Sequence, residues 1–280
     1  MTEQTMAGRT VLVTGASDGI GAEAARVLAA RGATVHVTGR SLDKLRPVAQ
    51  AVGTEPLIAD FSRLDDVRRL AEQVTERVGT LDVLMNNAGG TFSPSRLTAD
   101  GHEPNFQVNH LAPFLLTNLL HPKLAAAGGS LVVNTSSIAN LLGKVVLDDL
   151  DYEHRKAREF PAYGTGKLMN IVFTRGASAR WSGDGIVSVA VHPGPVGSSF
   201  GRDSRVVGLL YRTPLKRFAT ISVPEGAAPL VALAERGADR DLDGRYFSRF
   251  TPDGRENKQA SDRAIIDGLW ERSAALAGLG

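Results

Sequence analysis

Two stretches of the chain hold residue types whose spacing could do chemistry. In "PAYGTGKLMN" (161–170), Tyr163 and Lys167 lie four apart. On a helix that spacing stacks them one turn apart on one face. A phenol is a weak acid, with a reference pKa of about 10. A neighbouring ammonium favours its ionised form and draws it toward the neutral range, which suits a proton-transfer pair. Alone, the spacing says little, because chance produces it in roughly one chain of this composition in ten. The second stretch is "TGASDGIG" (14–21), with glycines at 15, 19 and 21. A strand turning into a helix through glycines offers backbone N–H groups and a positive helix end to a phosphate. Three glycines in one turn are entropically expensive unless something requires them.

Those residues need elements to hold them, and the pattern supplies a series. "TVLVT" (10–14) is an apolar run of buried-strand length, followed by helical spacing over 19–32 that closes at Gly32. Further strands are expected at 33–39, within 55–62, at 81–89, at 130–137, at 185–194 and, short, at 242–248. Helices are expected at 64–79 and from 161 to about 182, with a C-terminal one over about 259–277. A long helix over 105–129 should bend at Pro113 and Pro122. Strands alternating with helices predict a doubly wound α/β fold, a parallel sheet of about seven strands with helices on both faces. No repeat, low-complexity tract or linker interrupts residues 1–280, so a single domain is expected, its core spanning about 9–250.

Composition narrows the class. With 42% hydrophobic and 22% charged residues the chain is globular with ample core. The absence of cysteine excludes disulfides, thiolate metal sites and a thiol nucleophile, and no metal site is expected. A net charge of +2 calls for no nucleic-acid partner. No stretch reaches the ~18 apolar residues of a membrane span, so no integral membrane segment and a cytoplasmic location are expected. One run is locally basic: residues 198–218 carry Arg202, Arg205, Arg212, Lys216 and Arg217 against Asp203. It reads as a solvated loop, as a lid (about 197–220) over an anionic or amphiphilic ligand, or as a membrane-surface contact.

In order along the chain come Thr14 to Gly21, Asn86-Asn87-Ala88-Gly89 after the fourth strand, Asn109, Ser137, Tyr163 with Lys167, and Pro193-Gly194. Six such motifs in this order, over residues 9 to about 250, resemble the short-chain dehydrogenase/reductases. The resemblance implies a Rossmann-type fold and hydride transfer between a nicotinamide and a small-molecule carbonyl or alcohol. Tyr163 would then be the general acid/base, and Lys167 would assist it and bind the nicotinamide ribose. Ser137 would hydrogen-bond the substrate oxygen, with the adjacent Ser136 equivalent on paper, and Asn109 would help hold a water linked to Lys167. The cofactor would lie along Gly15, Ser17, Asp18, Gly19, Ile20 and Gly21. Asp60 and Phe61 would meet its adenine, Asn87, Ala88 and Gly89 its ribose side, and Pro193, Gly194, Val196 and Ser198 its nicotinamide.

The second strand ends in Gly39-Arg40-Ser41, where an acidic residue would select NAD and an arginine accommodates the 2′-phosphate of NADP. NADP(H) is therefore expected over NAD(H), although Asp18 stands where the family often has a second basic residue. The 26 residues from Ser137 to Tyr163 exceed the family's common spacing and resemble its retinol-dehydrogenase-like branch. Most of the extra length, 144–162, is strongly charged and expected at the exposed rim of the site. The apolar and basic mixture of 198–218 would suit a lipophilic substrate, with or without an acidic group. A non-catalytic NADP(H)-binding sensor on the same fold is the rival reading. Family members often pair through the helices holding Asn109 and Tyr163, which leaves a homo-oligomer open. Gly164 and Gly166 each cost about 1 kcal/mol against alanine in a helix, and close approach of a cofactor or substrate is the expected reason.

Overall fold

The computed structural model describes residues 5–196 and 220–279, so Ser198 and the expected lid through residue 219 lie outside the described residues. Strand β1 (Thr10–Thr14) leads into α1 (Gly19–Ala30), β2 (Thr34–Gly39), α2 (Leu42–Val52), β3 (Leu57–Ile58), α3 (Leu64–Arg77) and β4 (Val83–Asn86). The short helices α4 (Pro104–Phe106), α5 (Ala112–Leu119) and α6 (His121–Ala125) precede β5 (Ser130–Thr135). Then come the long α7 (Glu159–Trp181), β6 (Ile186–His192), α8 (Val223–Arg236), β7 (Tyr246–Ser248), β8 (Thr251–Pro252) and α9 (Arg263–Leu276). They form one sheet of order β3-β2-β1-β4-β5-β6-β7-β8, parallel except for β8. The order reverses between β1 and β4, which is where such sheets open a crevice at their carboxyl edge.

Alternation along the strands explains why helices cover both faces. Val11, Val13, Val83, Met85, Leu131 and Val133 join a buried cluster with residues of α1, α2 and α8. The intervening Leu12, Leu84 and Val132 join a second cluster with α3, α5, α7 and α9. The eighth strand, two residues long, is an addition to the expected seven, and the third is only Leu57–Ile58 because the chain leaves the sheet before Asp60.

Three expectations are corrected. The long helix over 105–129 does not simply kink at Pro113. Residues Gln107–Leu111 form a π-helical turn, and the N–H of Ala112 bonds to Gln107 O, five residues back. Pro113, which has no N–H, then enters at the first turn of α5, where none is needed. The charged segment 144–162 is not wholly a rim: Val145 and Leu150 belong to the core, and Asp149 is buried and paired with Arg155. The Tyr152 hydroxyl anchors the same segment to α7 by donating to Thr165 Oγ1.

The third correction concerns Gly164 and Gly166. A Cβ on Gly164 would collide with the carbonyl oxygen of Ala139, in the 3-10 turn Ile138–Leu142. One on Gly166 would stand 2.8 Å from Asn105 O and 3.1 Å from Asn109 Cβ. Close approach is indeed the reason for both glycines, but the approaching groups are protein backbone from two other segments. Alanine at either position would gain about 1 kcal/mol of helix propensity. Overpacking against main chain costs about 1–3 kcal/mol and cannot be relieved by a rotamer change. Gly164→Ala and Gly166→Ala should therefore each lower the urea midpoint, and a raised midpoint in both would refute the contact as the reason.

Candidate active site

The glycine turn is built at the carboxyl end of β1. Gly15 (φ +65°) and Gly19 (φ +59°) take left-handed backbone that side chains disfavour. Thr14, absent from the expected site residues, organises the turn. Its hydroxyl donates to Met85 O (3.1 Å) and accepts from the N–H groups of Asn87 (3.0 Å) and Ala88 (2.9 Å). The Asn87 amide returns to Thr14 O (3.0 Å) and Gly15 O (3.3 Å). The loops after β1 and β4 are thus one bonded unit, and the residues expected to face a cofactor on each are brought together. Asp18 caps α1 by accepting from the Gly19 N–H at 2.7 Å.

At the end of β2, Gly39 lets Ser17 pack where a side chain would stand, and the Ser17 hydroxyl is buried without a hydrogen-bond partner. Arg40 follows, exposed. An orphaned hydroxyl beside an arginine, with no carboxylate at residues 39–41, fits a ligand carrying a phosphate near a sugar. Asp60 lies in the turn after β3, which the Ala59 N–H ties to Gly39 O at 3.2 Å, and its Oδ1 accepts from Ser62 N–H (2.9 Å) and Oγ (2.8 Å). Phe61 is in the core. Val196 and Ile20 are brought together over Gly226, whose missing Cβ leaves room for both.

Tyr163 and Lys167 share one face of α7, with the Lys167 amine 5.8 Å from the Tyr163 ring centre. Both are buried, at 5% and 2% exposure. Lys167 Nζ donates to Thr135 O at 3.0 Å. Burial pulls the Lys167 pKa down to about 7. The two serines after β5 separate by environment. Ser136 is buried and donates to the Lys167 carbonyl at 2.7 Å, so its hydroxyl is committed to holding the helix. Ser137 is half-buried and accepts from the Ala139 N–H at 3.2 Å, which leaves its own proton available.

Asn109 sits in the π turn and grips the loop after β4. Its Oδ1 accepts from Gly90 N–H (3.0 Å) and its Nδ2 donates to Gly90 O (2.9 Å). Asn105 does the same to Phe92, at 2.9 Å in both directions. Asn105 was not among the expected residues, although two asparagines at i and i+4 in "NFQVN" were a readable signal. A Cβ on Gly89 would meet Lys167 Nζ at 3.1 Å and also Asn109 Oδ1, so that glycine closes the site from the β4 side.

Residues 9–206 match the family model of the short chain dehydrogenases. The chain is 35% identical to human retinol dehydrogenase 13 over 290 residues, covering 98% of this chain and 86% of that protein. It is 39% identical over 279 residues to a provisionally named daunorubicin C-13 ketoreductase, DnrU, from Streptomyces sp. (strain C5), covering 97% and 93%. The crystal structure of an uncharacterized protein from Mycobacterium paratuberculosis has a TM-score of 0.78 at 33% identity, covering 97% and 94%. Among the described residues no helix is long and apolar enough to cross a membrane.

The depressed lysine has a thermodynamic consequence. Between about 7 and the usual value of 10.5, the unfolded chain holds a proton on Lys167 that the folded chain lacks. Stability should therefore rise with pH across that window, and this contribution is lost as pH falls through about 7. Lys167→Met removes it. The melting temperature of the unsubstituted protein should climb more steeply from neutral to alkaline pH than that of the variant, and parallel profiles would contradict a dry, readily deprotonated amine.

Proposed function

Because the chain belongs to the short-chain dehydrogenase family, as an NAD(P)-dependent enzyme of the retinol-dehydrogenase-like kind acting on alcohol or carbonyl groups, we propose that it interconverts a lipophilic carbonyl compound and its alcohol with NADP(H), using Tyr163 as general acid/base. The observation that carries this reading is the division of labour at the end of β5. Ser136 is committed to the Lys167 carbonyl and the Lys167 amine spends one donor on Thr135 O, which positions α7, while Ser137 keeps its proton to donate.

When bound, the nicotinamide supplies or accepts the hydride. The rest falls to this chain. Tyr163 gives a proton to the substrate oxygen in reduction and takes it in oxidation. Ser137 donates to the same oxygen and stabilises its developing charge. Lys167, when protonated, favours ionisation of Tyr163 and binds the nicotinamide ribose. Asn109 is a positioning residue that fixes Gly90, and through it the neighbouring Gly89, at the site. Gly15, Ser17, Asp18, Gly19, Ile20 and Gly21 would hold the pyrophosphate, with Arg40 and the orphaned Ser17 hydroxyl on the 2′-phosphate. Asp60 and Phe61 would border the adenine, Asn87 to Gly89 the ribose side, and Pro193, Gly194, Val196 and Ser198 the nicotinamide.

Tyr163→Phe should abolish turnover of ketones in a substrate panel while leaving NADPH binding, followed by fluorescence titration, within a few-fold. Retention of more than a few per cent of activity would remove Tyr163 from the proposed role. Hydrogen bonds to charged groups are worth about 1.5–3 kcal/mol, so Arg40→Ala should weaken NADPH about tenfold to a hundredfold and NADH far less. Equal catalytic efficiency of the unsubstituted enzyme with the two cofactors would defeat the NADP assignment.

A further inference from the structure

The hairpin between β7 and β8 closes at the carboxyl edge of the sheet. Phe247 pairs with Pro252 and Ser248 with Thr251, which leaves Arg249 and Phe250 as a two-residue connection. Arg249 has φ +56°, in the left-handed region where such a turn ordinarily carries glycine or asparagine. A long cationic side chain held there is a strained choice that the hairpin itself does not need.

The surroundings of Arg249 point the same way. A Cβ on Gly194, itself at φ +104°, would stand 3.4 Å from Arg249 Cδ and 3.7 Å from Cγ, so the arginine stem lies along the Pro193-Gly194 turn. Its Nε is buried without a hydrogen-bond partner. No carboxylate among the described residues pairs with its guanidinium. The acid that feels its charge, Glu225, is committed to the cap of α8, accepting from Ser222 N–H (2.8 Å) and Oγ (2.7 Å). His192, on the neighbouring strand, is pulled down to about 4 by burial and by Arg249, so it stays neutral and adds no competing charge.

Strand register places this cation relative to the reacting centre. The N–H of Ser136 bonds to Val191 O, and His192 pairs with Ser248. Arg249 therefore follows β7 at the level where Ser137 follows β5, two strands away, a lateral distance on the order of 10 Å. The rim is apolar: Ile138, Leu142, Phe160 and Phe250 are 47%, 58%, 40% and 55% exposed. The Phe160 ring lies 6.2 Å from that of Tyr163.

We propose that Arg249 is a specificity-determining residue that selects amphipathic substrates, oxo or hydroxy acids whose carboxylate reaches its guanidinium while the reacting carbon sits at Ser137 and Tyr163. The proposal rests on the oxidoreductase reading above and deepens it. The other source of an anion near the Gly194 turn is the dinucleotide itself, and the two make different demands on an experiment.

The free and the NADPH-loaded enzyme are titrated calorimetrically with a medium-chain alkanoate, alongside Arg249→Gln and Arg249→Lys. The unsubstituted protein should bind it, Arg249→Gln should weaken it tenfold or more, and Arg249→Lys should recover most of the loss. In turnover, a medium-chain oxo acid should be preferred over its methyl ester by tenfold or more in kcat/KM, and Arg249→Gln should bring that ratio close to one. Equal alkanoate affinity in the unsubstituted and Gln proteins, or no preference for the acid, would overturn the proposal. So would a loss of NADPH affinity in Arg249→Gln with the acid-to-ester ratio intact, because the anion would then be the cofactor's. If no carbonyl compound of any kind were turned over, the failure would fall on the proposed function, and the alkanoate titration would still decide the role of Arg249.

Discussion

A lysine amine kept out of water sets the terms for the rest of this structure. Lys167 Nζ finds one carbonyl, Thr135 O, at the end of β5, and Ser136 on the next residue bonds back to the Lys167 carbonyl. These two bonds, made in opposite directions, staple α7 to the sheet edge. A buried amine with a poor hydrogen bond would be costly, so the helix has little freedom to slide or rotate. Tyr163, one turn earlier, inherits that fixed orientation. The closeness the staple demands is also why α7 has hydrogen atoms at 164 and 166, where a methyl group would strike main chain.

The same economy governs the loops around the pair. Thr14 binds the loop after β4 to the loop after β1, and two asparagine side chains clamp Gly90 and Phe92 through both of their backbone groups. Under the site a polar chain crosses the sheet. Asn86 donates to Thr117 and Asn134, and Asn134 donates to Thr174 and Ser188. Such a network rigidifies to the extent that its members are satisfied, and all of these amide groups except Asn86 Oδ1 have partners. The carboxyl edge is thus positioned from below by side-chain amides.

What was legible in the sequence was local. The strand-to-helix turn with Gly15, Gly19 and Gly21 and the pair Tyr163 and Lys167 are each written within a few residues, the motifs follow one another in a linear order, and the fold follows from alternating periodicities. What was hidden depends on partners far along the chain. Gly164 answers to Ala139 and Gly166 to Asn105, and no spacing rule connects them. Ser136 and Ser137 are identical on paper and part company only when one meets the Lys167 carbonyl. The segment 144–162 looked like a surface because of its charges, yet Asp149 and Arg155 neutralise each other beside two core side chains. Arg249 carries no mark in the sequence, because only the hairpin geometry makes an arginine there unusual.

The π turn at Gln107–Leu111 carries one residue more than an α-helical turn would. That extra residue lets neighbours face opposite ways. Asn109 looks at Gly90, while His110 enters the aromatic cluster with Phe114 and Phe173 and bonds to Ser273 of α9 at 2.8 Å. The C-terminal helix and the loop beneath Lys167 therefore share a single turn of backbone. Removing one residue here would give a more regular helix and swing Asn109 about 100° away from its loop. Fold quality and site quality pull in opposite directions at this point: the shorter chain has the better helix and the worse site.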